Sequence, residues 1–213
     1  PCGLVLSTKG IIRGDDHRTM TETMRAFIAV ELPDPVVDDL RRAATHIREA
    51  GIRNLRTVRP EGIHLTLKFL GDIEISQIEP VIVAMKKAAQ EVQPFKLHFG
   101  ETGAFPNFQR PRVLWAGVDG EMESLRTLQQ SIEKAVEGLG VEAERREYNP
   151  HLTLGRIRGG ASEEEGQKIA QTLLDTNLDE SLSIPVDSIS LMRSTLTPTG
   201  AVYERLGSAP LSG

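Results

Sequence analysis

The chain has 213 residues, 39% hydrophobic and 26% charged, with a net charge of -5. That length can bury a substantial globular core, and the acidic balance excludes a protein that coats nucleic acid by general phosphate neutralisation, though not a local anion site. The single cysteine, Cys2, excludes an intrachain disulfide framework or cysteine metal cluster, and no apolar run reaches the ~18 residues of a membrane span.

Residues 1–23 show no periodicity and read as a tail or non-native extension, with Met20 or Met24 as alternative starts of the domain. No basic segment precedes the apolar residues of Pro1–Ile12, so no signal peptide is expected and the cytoplasm is the expected compartment. His17, in this tail, is assigned no role. The folded domain is expected over 24–208, with 209–213 a second tail.

Arg25–Glu31 reads as a buried strand. Asp34 is a helix N-cap with Pro35 at the first helical position, and Val36, Leu40, Ala43 and Ile47 mark the apolar face up to a stop at Gly51. His46 lies beside that face, as a solvated helix residue. Arg53, Arg56 and Arg59 lead into the tetrapeptide His64-Leu65-Thr66-Leu67. Ser76 and Glu79 have capping-box spacing before a second helix faced by Ile78, Ile82, Met85, Ala89 and Val92. Phe95–Phe99 alternates as a strand, in which His98 is structural, and Gly103–Pro111 reads as a loop.

The order then repeats. Arg112–Val118 is a strand, and Met122, Leu125, Leu128, Ile132 and Val136 face a helix ending near Gly140. Arg145, Arg146, Tyr148 and Pro150 lead into His151-Leu152-Thr153-Leu154. Ser162 and Glu165 form a second capping box, and strands over Ser183–Leu191 and Ala201–Leu206 close the chain around a turn at Thr197–Gly200. The tetrapeptides lie 87 residues apart, and the same offset relates Arg25 to Arg112 and Leu97 to Ile184. An internal duplication follows, each copy reading strand–helix–strand–helix–strand. Phe27 and Trp115, in the first strand of each copy, are taken as core residues. The expected fold is α+β: a bilobal pseudo-twofold domain with lobes built from 25–111 and 112–206. Two mainly antiparallel sheets line a central cleft, with helices on the outer faces.

Alternation along a strand puts His64 and Thr66 on one face and Leu65 and Leu67, with Phe69, on the other. The same holds for His151 and Thr153. Two imidazoles and two hydroxyls then line one cleft. Imidazoles titrate near neutrality, so one can accept a proton while the other gives one. Hydroxyls can hold phosphate oxygens without adding charge. Two histidines alone do not make a zinc site, and neither a metal nor another cofactor is expected.

His64-Leu-Thr-Leu-Lys-Phe-Leu-Gly71 and Asn149-Pro-His-Leu-Thr-Leu-Gly-Arg156 resemble the paired signatures of the 2H phosphoesterases. Within that superfamily the chain is similar to the RNA 2′,3′-cyclic phosphodiesterases, also called 2′-5′ RNA ligases. The likeness extends to Phe27-Ile-Ala-Val-Glu-Leu-Pro33 and Ser194-Thr-Leu-Thr-Pro-Thr-Gly-Ala-Val-Tyr203. It implies a metal-independent enzyme in which His64 protonates the departing 3′-oxygen, His151 activates water, and Thr66 and Thr153 bind phosphate. The substrate would be an RNA end or nucleotide carrying a 2′,3′-cyclic phosphate, and the product a 2′-phosphate. Joining or cleaving 2′-5′ linkages in the same site and nucleotide binding without turnover are the alternatives. No protein partner is implied, and a monomer is expected.

Arg156 has the parity of the buried leucines, and an unpaired buried guanidinium is too costly. A bulge or strand end at Gly155 is therefore expected to free it toward the phosphate. Lys68 shares the parity of His64 and Thr66 and is a second basic candidate, near the cleft's end. Arg53, Arg56, Arg59, Arg145 and Arg146 are expected to form a basic rim that recruits an RNA end. Tyr148, Phe105 and Phe108 are candidates for stacking on a base.

Overall fold

The computed structural model describes residues 22–198 and 200–213; His17, Met20 and the tail up to residue 21 lie outside the described residues. In chain order the elements are β1 (Thr23–Val30), α1 (Asp34–Glu49), β2 (Leu55–Thr57), β3 (Leu65–Glu74), α2 (Ile78–Ala89), β4 (Phe95–Phe105), β5 (Val113–Gly120), α3 (Met122–Glu137), β6 (His151–Ile157), α4 (Glu163–Leu174), β7 (Ile184–Val186), β8 (Ser188–Thr197) and β9 (Gly200–Pro210).

The strands form one antiparallel sheet in the order β7-β4-β5-β6-β3-β1-β8-β9, with β2 alongside β6. Its two halves, β7-β4-β5-β6 and β3-β1-β8-β9, join through a single bridge between Leu65 and Leu152. That is the bilobal α+β architecture expected, with the two sheets fused at a narrow seam. The lobes nevertheless do not coincide with 25–111 and 112–206. Each copy lends its third strand to the other: β4 of the first pairs with β5 of the second, and β8 of the second pairs with β1 of the first. β4 and β5 are neighbours in the chain, but the pairing of β1 with β8 is non-local, and nothing in hydrophobic periodicity records it.

The helices follow the same crossing. α1 lies against β2, β6 and α4, while α3 lies against β3 and α2. All four cover one face, where Val36, Leu40, Leu65, Leu67, Met85, Leu125, Leu128, Leu152 and Leu154 belong to one continuous core. Burying each such side chain contributes ~1.5–3 kcal/mol.

Local chemistry sets most boundaries. Ser162 caps α4, its hydroxyl accepting from the Glu165 amide at 3.2 Å while the Glu165 carboxylate accepts from the Ser162 amide at 2.9 Å. The other expected capping box shifts: Glu74 and Gln77 form it, and a short turn over Ile75–Gln77 precedes α2. Pro33, not Asp34, stands at the N-cap of α1. β4 runs through Gly103 to Phe105, where a loop was expected, because Gly103 pairs opposite Trp115. Residues 209–213 are not a tail: Ala209 and Leu211 are buried, and the Leu211 amide donates to the Asp187 carbonyl at 2.8 Å.

Both motif strands carry the same irregularity. β1 pairs Ile28 with Lys68 and Ala29 with Thr66, skipping Leu67. β5 pairs Leu114 with Gly155 and Trp115 with Thr153, skipping Leu154. Each bulge reverses the alternation after the tetrapeptide. In β3 it turns Lys68 under the sheet, where it is 4% exposed, and leaves Phe69 57% exposed. This inverts the expectation for both residues. In β6 it turns Arg156 outward, with the bulge one residue ahead of Gly155.

Leu65 is fully buried at the seam. Leu65→Ala is expected to destabilise the fold by about 2–5 kcal/mol, measured by urea denaturation.

Candidate active site

His64 and His151 stand on either side of the Leu65–Leu152 bridge. Antiparallel alignment through that bridge brings His64 abreast of Thr153 and Thr66 abreast of His151. The two motifs thus form a compact diagonal set, related by the pseudo-twofold of the fold.

The ring settings are equivalent. His64 Nδ1 donates to the Gly62 carbonyl at 2.9 Å, and His151 Nδ1 donates to the Asn149 carbonyl at 2.8 Å. A carbonyl only accepts, so each Nδ1 carries the proton. The neutral ring then presents Nε2 as a lone-pair base. Aromatic groups fix the planes. His64 stacks on Phe27 with centroids 4.5 Å apart and meets Tyr203 edge-on at 4.9 Å. His151 meets Phe105 edge-on at 5.0 Å, and Phe105 stacks on Trp115 at 5.1 Å. Such pairs contribute ~0.5–1.5 kcal/mol beyond burial.

The structure moves these aromatics from where the sequence pattern puts them. Phe27 lies on the cleft face with Ala29, Met192 and Tyr203, apart from the main core. Trp115 covers Gly103, where an added Cβ would fall 2.3 Å from its ring. A signal for Phe27 is present in the sequence: Ala26, Ile28 and Val30 hold the core parity of β1. Tyr203 stands in the sequence only as part of a motif.

Burial holds His64 down to about 4, opposed by its bond to Gly62 and reinforced by the nearby charges of Arg156 and His151; Glu31 opposes them. Burial likewise lowers His151, opposed by the bond to Asn149 and reinforced by Arg156. Arg156 therefore stands near enough to both rings to disfavour their protonation. Both are neutral bases at pH 7 in the free protein, and His64 is the weaker.

Arg56 pairs directly opposite Arg156, so the two share a face. Like charges abreast are unfavourable unless an anion joins them, and no carboxylate among the described residues pairs with either. Arg53 is instead tied to Glu165 at 3.2 Å and Arg146 to Glu144 at 2.9 Å. Arg59 and Arg145 are exposed. Of the five expected rim arginines, Arg53 and Arg146 are thus held by carboxylates, and Arg56 stands abreast of Arg156. Lys68 binds Glu133 behind the sheet. Tyr148 donates to the Thr66 carbonyl at 3.1 Å and lines a pocket beside α3, so it does not face the cleft. Phe108 packs on the core with its carbonyl against Gly166 of α4. Of the three stacking candidates, Phe105 alone stands beside a site histidine. His98 binds the Phe99 carbonyl, and His46 is exposed on α1. Among the described residues, no three His, Cys, Asp or Glu side chains converge as metal ligands.

A duplicated α+β fold with a His-x-Thr pair facing one cleft defines a 2H phosphoesterase. The LigT-like phosphoesterase family model matches residues 30–115 and 117–203, once per repeat. The chain belongs to the LigT-like phosphoesterase family. It is 33% identical over 180 residues to a Methanothermobacter thermautotrophicus protein named RNA 2′,3′-cyclic phosphodiesterase, covering 84% of this chain and 95% of the relative. A Thermus thermophilus protein of the same name is 33% identical over 196 residues, covering 89% and 91%. Among solved structures, one from Thermus thermophilus superposes with a TM-score of 0.73 at 30% identity, covering 89% of this chain and 99% of that one. Escherichia coli LigT, solved with 3′-AMP, superposes at 0.67 with 20% identity over 90% and 100%, a likeness of fold.

The electrostatics are open to direct measurement. In an NMR titration of the free protein, His64 is expected to protonate with a midpoint of about 4 and His151 below the ordinary 6.5. Arg156→Gln is expected to raise both midpoints.

Proposed function

We propose that this chain hydrolyses 2′,3′-cyclic phosphates at RNA ends or on nucleotides to 2′-phosphates, by paired histidine acid–base catalysis without a metal. The observation that carries the reading is the matched ring geometry: two carbonyl-locked imidazoles, each offering Nε2, flank one bridge with two threonine hydroxyls. The names carried by relatives at about 30% identity supply the substrate class.

His151 Nε2 takes a proton from water as the water oxygen attacks phosphorus. The bond from phosphorus to the ribose 3′-oxygen breaks, and His64 Nε2–H gives its proton to that oxygen. The 2′-ester remains. Thr66 and Thr153 hydroxyls donate to the non-bridging oxygens, and Arg156 balances their charge. The division of acid from base rests on family resemblance, since the two ring settings are nearly symmetric. A phosphate anion between the rings and Arg156 reverses the sign of the local field. Binding therefore supplies the charge that lets His64 hold a proton.

His64→Ala and His151→Ala are each expected to lose at least ~10²-fold in kcat with chelator present, while circular dichroism stays unchanged. Near-full turnover by either variant defeats the assignment. Because both ring pKa values lie below 6.5 in the free protein, kcat/KM is expected to peak on the acid side of that value and fall through neutrality. The kcat optimum is expected to lie higher, because bound phosphate raises the rings.

Arg56 supports an RNA end over a mononucleotide as the better substrate. Arg56→Gln is expected to raise KM for a cyclic-phosphate oligonucleotide more than for a cyclic mononucleotide. Its salt slope should fall by about 0.7 for one lost phosphate contact on a single strand.

A further inference from the structure

The segment from α3 into β6, residues 138–150, has almost no regular structure. It nevertheless determines where His151 stands. Polar contacts fasten it to the lobe that carries His64. Gln77 Nε2 donates to the Leu139 carbonyl at 2.8 Å. Lys68 Nζ donates to the Glu142 carbonyl at 2.7 Å and to Glu133 Oε1 at 2.6 Å. Glu133 Oε1 also accepts from the Glu144 amide at 2.9 Å. Tyr148 then donates to the carbonyl of Thr66, in the opposite motif, three residues before His151.

The other copy makes the equivalent junction with backbone alone. Residues 55–57 lie 87 positions before 142–144, and there β2 pairs with Gly155, Arg156 and Ile157 of β6. Gly155 is the counterpart of Lys68. Its missing side chain lets β2 approach, since an added Cβ would fall 2.9 Å from Leu55 Cδ1 and 3.2 Å from the Arg56 carbonyl. In the second copy the lead-in forms no ladder with β3, and the shared bulge turns a long cation into the space.

We propose that Lys68, Glu133 and Tyr148 are positioning residues that hold His151 against His64, replacing with side chains the ladder that β2 supplies in the other copy. This rests on the two-histidine reading above. A buried ion pair seldom stabilises a fold more than apolar residues of similar volume. Glu133 even leaves Oε2 buried without a partner among the described residues. What the pair supplies is direction: it ties a fixed point of the irregular segment to the back of the first motif. A shift of ~1 Å between reacting groups costs ~10²-fold in rate.

The test compares wild type, Tyr148→Phe and the double variant Lys68→Met/Glu133→Met on a cyclic nucleotide monophosphate. The expected result is a kcat at least fivefold lower in both variants, KM within threefold, and a Tm for the double variant at or above wild type. A purely structural role predicts that a double variant as stable as wild type is also as active. A smaller fall in kcat in a folded variant, or a loss confined to KM, overturns the proposal. Should the double variant fail to fold, Tyr148→Phe removes one hydroxyl and carries the same readout. Wild type without turnover would instead defeat the underlying reading of function.

Discussion

The structure depends on one contact between backbones, the bridge from Leu65 to Leu152. Both leucines are fully buried, so the bridge cannot slip by a residue without turning a histidine into the core and a leucine into the cleft. Hydrophobic burial on one face therefore fixes which side chains stand on the other. A wider seam would close the cleft with more strand pairing, and no seam would leave the lobes to drift. One bridge, backed by helices that cross from lobe to lobe, keeps the sheet continuous while leaving the motifs open on one side.

The paired bulges do a second kind of sorting. Up to the threonine, each motif follows strict alternation; beyond it, each strand reverses faces. The same device delivers opposite cargo. In β6 it carries Arg156 out beside both rings, and in β3 it carries Lys68 in beneath them. The two copies share a backbone and differ in what it displays. The cleft is thus symmetric in its imidazoles and hydroxyls and asymmetric in charge, with the guanidinium on one side and exposed Phe69 on the other.

What the sequence made legible follows from this. The duplication, the element order, the shared face of His64 and Thr66, and the cap at Ser162 are all local or periodic signals. The reversal at Arg156 was legible because Gly155 marks it and an arginine cannot stay among leucines. The identical reversal in β3 was hidden. Its position holds Lys68, which bears no turn signal, and Phe69 suits a core as readily as a cleft. The pairing of β1 with β8 was equally silent, because Ala29 and Ser190 meet across 161 residues, a separation that leaves no mark on periodicity. The aromatic rings behind the histidines were hidden for a related reason: burial and hydrophobicity do not distinguish a core from the dry floor of a site.

That dry floor governs the acid–base behaviour. Phe27, Tyr203 and Phe105 hold the rings by their faces and edges, and in doing so strip water from them. Desolvation is the largest cause lowering each ring, and Arg156 adds to it. An empty site is therefore a site of two bases and no acid. A neutral ligand would leave it so, whereas an anion neutralises the guanidinium's effect and favours an imidazolium beside it. The surroundings that make His64 a poor proton holder in the free protein thus make its protonation conditional on a bound phosphate. In the proposed reaction, a proton acquired that way sits on a buried, weakly basic nitrogen, from which it is readily given to a departing alkoxide.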